Sequence, residues 1–179
     1  MNKMLFAAGA GLAALLAMPA QAGHFLGTYT TFGGAPVSAS IAFTYDDALN
    51  AVGGHDILAV SGNVDGDAIT GLLANPDQPN PVISADGRWQ IDNVLFDGAQ
   101  LLDNWGALFT TASGVEYNLW GNAPGNYTLA SAIGGQYGPG SNGNFAAAAV
   151  PEAATWAMML FGFGAMGVAM RRRTAVAFA

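Results

Sequence analysis

Residues 37–45 read VSASIAFTY, and residues 56–74 read DILAVSGNVDGDAITGLLA. In the first stretch Val37, Ala39, Ile41 and Phe43 fall on one face of an extended chain, and Ser38, Ser40, Ala42 and Thr44 fall on the other. A period of two with one apolar face predicts a half-buried β-strand. In the second stretch two apolar runs flank Val64-Asp65-Gly66-Asp67. Asp-Gly suits the two central positions of a type I′ turn, so a tight hairpin is expected there.

Working outward, GHFLGTYTTF at 23–32 and RWQIDNVLF at 88–96 are further strand candidates. NPDQPNP at 75–81 carries three prolines and is expected to be a loop. GALFTTASGVEYNLWG at 106–121 reads as a hairpin turning at Ala112-Ser113-Gly114, and GNAPGNYTLAS at 121–131 adds a turn and a last strand. No long helix and no fixed-period repeat is expected in this body. Short strands separated by turn signals predict an all-β fold, an antiparallel β-sandwich or a barrel. The body from Gly23 to Ala149 has 127 residues. A chain of that size buries about two-thirds of its unfolded surface, enough for one core. The β-rich domain is placed at 23–131. AIGGQYGPGSNGNFAAAA at 132–149 is dominated by Gly, Ala, Ser and Asn and is expected to be a flexible tether.

Charge and composition exclude several classes. The chain has 179 residues, no cysteine, and only 9% charged residues. Disulfide frameworks and thiolate zinc sites are therefore out. Between Gly23 and Ala149 there is one cation, Arg88, against eleven acids, a balance of −10. Such a body has no positive footprint for phosphate backbones, so nucleic-acid binding is not expected.

The two ends differ from the body. Lys3 precedes an apolar run from Leu5 to Ala17, Pro19 follows, and Ala20-Gln21-Ala22 has the A-x-A form. This is the pattern of a secretory signal peptide over residues 1–22, with cleavage by signal peptidase after Ala22. At the other end, Ala153 to Met170 is 18 residues without a charge. As a helix it would run about 27 Å, near the thickness of a bilayer's hydrocarbon core. Trp156 sits at one end and Arg171, Arg172 and Arg173 at the other. Indole favours the interface and arginines stay cytoplasmic, so a single transmembrane helix would leave the body outside the cytoplasm.

This tail resembles a PEP-CTERM sorting signal of Gram-negative bacteria, in its PEPxxWA variant. The matching positions are Pro151, Glu152, Trp156, Ala157, Met158, Met159, Gly162, Phe163, Gly164, Gly167 and Arg171 to Arg173. Ala153 departs from the pattern, which has a second proline there. The signal spans 150–174. The resemblance implies export, an inner-membrane-anchored intermediate, processing by an exosortase, and delivery to the cell surface or extracellular matrix. It also implies an association with exopolysaccharide and biofilm. In it Pro151 and Glu152 are substrate residues, not catalysts. The body from ITGLLANPDQPNP to PGNYTL resembles, more loosely, the β-rich bodies of such surface proteins.

No residue in the body is singled out as catalytic, cofactor-binding or metal-binding. Asn63, Asp65 and Asp67 alternate as in the start of an EF-hand loop, but position 12 is Ala74, where a bidentate Glu is needed. Tyr45-Asp46-Asp47 is read as a solvated turn. His55-Asp56 has the elements of a base and its orienting carboxylate. Trp89, Trp105, Trp120, Tyr45, Tyr117 and Tyr127 would stack on sugar rings if exposed on one face, but are expected in the core. The reading favoured is a non-enzymatic envelope or matrix protein. The alternatives are a small ligand- or carbohydrate-binding β-domain, and a secreted hydrolase built on two carboxylates, or His55 with a partner, converging in a cleft.

Overall fold

The structure, a computed structural model, describes residues 23–150, 159–164 and 166. The expected signal peptide and most of the expected membrane helix lie outside the described residues. Among the described residues twelve strands follow one another: β1 (Gly23–Gly34), β2 (Ser38–Leu49), β3 (His55–Val64), β4 (Asp67–Leu72), β5 (Val82–Ile83), β6 (Gln90–Ile91), β7 (Val94–Leu95), β8 (Ala107–Thr111), β9 (Glu116–Ala123), β10 (Asn126–Ile133), β11 (Gln136–Tyr137) and β12 (Ser141–Val150). Eight of them pair in the order β10-β12-β1-β2-β3-β4-β8-β9, and β9 pairs back onto β10. The fold is thus an antiparallel barrel, not a sandwich.

The stretches quoted first behave as their pattern predicts. Ala39, Ile41 and Phe43 of β2 are buried while the residues between them are not. Asp65 and Gly66 both have positive φ, 50° and 85°, as a type I′ turn between Val64 and Asp67 requires. Inside the barrel Tyr29, Phe43, Ile57, Phe109, Leu119, Tyr127, Leu129 and Phe145 form one core. Phe145 packs edge-on against both Phe43 and Tyr127, at 6.0 and 5.8 Å between ring centroids. Leu101 and Leu102, from the loop after β7, belong to the same core, and the Leu101 amide donates to the Tyr127 hydroxyl at 2.8 Å. The lumen is packed with side chains, as the small diameter of an eight-stranded barrel favours.

A second, smaller core lies on the outside. Outward residues Leu108, Asn118 and Ala130 stand side by side across β8, β9 and β10. Trp89 and Ile91 cover them, with Val82 and Leu73 packed alongside. This is why Leu108 is buried although it alternates with the inward Ala107 and Phe109.

Two expectations about the longer segments fail. RWQIDNVLF is not one strand. It breaks into β6 and β7 at Asp92-Asn93, where Asn93 takes a positive φ of 56°. The break is held by hydrogen bonds a continuous strand could not make. The fully buried Asn93 donates from Nδ2 to Leu73 O (2.8 Å) and accepts at Oδ1 from Leu108 N (3.3 Å). Its main chain accepts from Ile57 N (2.9 Å) and donates to Gly106 O (3.0 Å). The 132–149 tether is the second correction. Ala132 is buried in β10, β11 follows, and Ser141–Val150 is β12, the strand that closes the barrel.

Asn93→Ala would remove two buried side-chain bonds and leave an alanine at positive φ, so urea unfolding should show a loss of about 3 kcal/mol. Asn93→Gly keeps the backbone conformation accessible and should recover roughly 1 kcal/mol of that loss.

Candidate functional site

The tail leaves the barrel at the end of β12. β12 runs antiparallel to β1 over ten paired positions, from Gly34↔Ser141 to His24↔Val150. The first strand residue, Gly23, is the one that cleavage after Ala22 would expose. Its missing side chain has a reason: the Tyr45 ring lies where a β-carbon would stand. The start of the barrel and the start of the tail are therefore neighbours, joined by strand pairing. On its other edge β12 pairs β10 only from Ser141 to Gly143. Among the described residues no strand pairs with that edge beyond Gly143.

Of the tail residues identified from sequence, Gly162 and Gly164 fall in a short helical stretch at 159–164. Met159, Leu160, Phe161 and Phe163 are exposed there, as is Met166 beyond it. No helix among the described residues is long and apolar enough to cross a membrane. Pro151, Glu152, Trp156, Ala157 and Arg171 to Arg173 lie outside the described residues, as do Ala20 and Ala22.

The body's chemical constellations take bland roles. Asp65 braces the hairpin by accepting from Ser38 N at 2.8 Å, and Asp67 accepts from the Ser113 hydroxyl at 2.5 Å. Asp46 and Asp47 sit in the exposed end of β2 rather than in a turn, with Asp46 accepting from Ala48 N at 2.9 Å. His55 and Asp56 are not partners. Asp56 accepts from Asn50 Nδ2 at 2.7 Å, while His55 lies between the Asp46 carbonyl (2.8 Å) and the Asp97 carboxylate (3.4 Å). Among the described residues no cluster of three or more His, Asp or Glu is arranged to hold a metal ion. Trp89 and Tyr127 are buried, and Tyr45, Trp105, Tyr117 and Trp120 are half-buried, so no exposed row of rings forms. Arg88 is held by Asp86 and, at 3.5 Å, by Glu116.

One arrangement was not legible in the sequence. Asp92 is 2% exposed, accepts from Val94 N at 3.2 Å, and interacts with Asp103. Burial, and then the Asp103 charge, push the Asp92 carboxyl up to about 8. Beside it Phe96, Gln100, Leu102 and Asp103 line a depression of about 260 Å³. Both Asp103 and Gln100 are committed within the fold. Asp103 accepts from Trp105 N at 2.8 Å, and Gln100 donates to Leu102 O at 3.1 Å.

Residues 149–173 match the family model of the PEP-CTERM protein-sorting motif. The chain carries that motif, which implies export across the membrane, processing by an exosortase and a place on the cell surface. No significant match was found among curated proteins or among solved structures. The motif overlaps the barrel: Ala149 and Val150 belong to both.

For Asp92 the sign of the pH effect follows from its direction. The folded protein keeps this proton up to about 8, whereas the unfolded chain releases it near 3.8. The stabilisation is whole below the lower value and is lost as pH rises through the higher one. Melting temperature should therefore fall between pH 5 and pH 8. Asp92→Asn should flatten that fall without abolishing it, since burial also raises Glu116.

Proposed function

We propose that this chain is a non-enzymatic surface barrel, an acidic cargo whose tail delivers it to the cell exterior, where it works in an exopolysaccharide-rich matrix. The observation that carries this reading is the sorting motif at 149–173 joined to a barrel whose lumen is filled. Among the described residues the barrel interior is one continuous apolar core, which makes the outer surface the proposed working part. That surface is negative: the single cation of the body, Arg88, is tied to Asp86 and Glu116. Before processing, the run from Ala153 to Met170 anchors the chain in the inner membrane with Arg171 to Arg173 on the cytoplasmic side. Removal of residues 1–22 leaves β1 whole.

A second reading rests on the depression lined by Phe96, Gln100, Leu102 and Asp103. An aromatic ring beside an amide and a carboxylate is a combination that sugar recognition uses, so a carbohydrate-binding domain is the alternative.

The intact mass of the protein from each cell fraction, with and without the exosortase, tests the main reading. The expected species lacks everything after about Pro151, lies outside the inner membrane, and appears only when the enzyme is present. Glu152→Ala should leave the full-length chain in the inner membrane. A full-length tail retained in both strains would overturn the reading.

A further inference from the structure

We infer that the open edge of β12, from Asn144 to Val150, is the docking strand for the enzyme that processes the tail. The inference rests on the sorting reading above and deepens it. Beyond Gly143 this edge offers backbone N–H and C=O groups with no strand paired to them among the described residues. At about 3.3 Å per residue it is roughly 20 Å long, the length of a peptide that adds to a sheet edge. It runs without a break into the motif, because Ala149 and Val150 are both strand and motif.

The sequence of this edge fits that use. Asn144-Phe145-Ala146-Ala147-Ala148-Ala149-Val150 has no charge and no proline. Protected edges usually carry lysine, proline or a bulge. Ala146 and Ala148 are exposed, so a second backbone meets only methyl groups there. Phe145 is buried and pins the strand to the barrel, which presents the edge as a rigid rail. The register with β1, ending at His24↔Val150, fixes where that rail stops. Pro151 and Glu152 follow this rail directly in sequence, so the enzyme's added strand lies next to the motif it reads. Main-chain pairing supplies affinity that does not depend on side chains, and the motif supplies the specificity.

Single prolines at Ala147 and Ala148 test this in the full-length chain. Successive strand N–H groups point to opposite edges, so one proline removes a donor facing β1 and the other a donor facing the open edge. Melting curves in detergent identify them: the β1-facing proline lowers the midpoint, and the edge-facing one leaves it nearly unchanged. In the native host the edge-facing variant should be processed roughly tenfold more slowly than wild type. A photo-reactive residue at Ala148 should cross-link to the exosortase, and the same residue at Ser61 on β3 should not. Wild-type processing rates in the edge-facing variant, or cross-links at Ala148 only to a second copy of the chain, would overturn the inference. If both prolines lower the midpoint, the cross-link alone decides. If the wild type is processed equally without the enzyme, the sorting reading itself fails, a result separate from tolerance of the edge proline.

Discussion

Three rungs turn this sheet into a barrel. Ser141, Asn142 and Gly143 of β12 face Leu129, Thr128 and Tyr127 of β10, while among the described residues the rest of β12 pairs only β1. Without those rungs, β10 and β12 would be two open edges and the core would face water along a slot. The join is buttressed from inside. The Tyr29 hydroxyl, fully buried, bonds Ser141 O at 2.7 Å and lies 2.9 Å from Ser141 Oγ. A buried phenol needs such a partner, and this partner sits where closure occurs. From outside, Thr128 Oγ1 donates to Asn142 Oδ1 at 2.8 Å, which adds a side-chain rung to the backbone ones.

Small residues make room for this join, and they also hid it in the sequence. A β-carbon on Gly143 would meet the Tyr29 ring 2.7 Å away and the Thr30 backbone. One on Gly27 would stand 2.3 Å from the Phe145 ring. The large aromatics and the glycines are complementary halves of one packing solution. Read alone, SNGNFAAAAV has weak strand propensity and looks like a spacer, because the β-branched and aromatic partners lie on other strands. β2 was legible because its own residues alternate. The β3–β4 hairpin was legible because Asp-Gly dictates its turn locally. β12 was not, because its conformation is set by tertiary contacts more than a hundred residues away in sequence, such as Tyr29 to Ser141.

The same distinction explains the site residues. The tail was readable because a sorting signal is recognised as a string, with its residues in sequence order. The Asp92–Asp103 pair was not, because eleven acids scattered through turns give no hint of which one the fold removes from water. Asn93 decides that. Its positive φ breaks the 88–96 run, and its hydrogen bonds draw the break under Leu73, Ile57 and Leu108. Asp92 is carried inward with it, and desolvation then favours its neutral form. A local backbone choice thus sets the protonation of a neighbouring carboxyl.

The pairing of β1 with β12 ties the fold to its sorting. Both ends of the folded body emerge at one place, with His24 opposite Val150. β1 and β12 must form this pair across the whole length of the body, so the two strands meet only once everything between them is available. Barrel closure is therefore non-local, and closing such a loop carries an entropic cost before its contacts repay it. The tail begins where the last rung ends. With no spacer between them, barrel closure and the start of the motif share one strand.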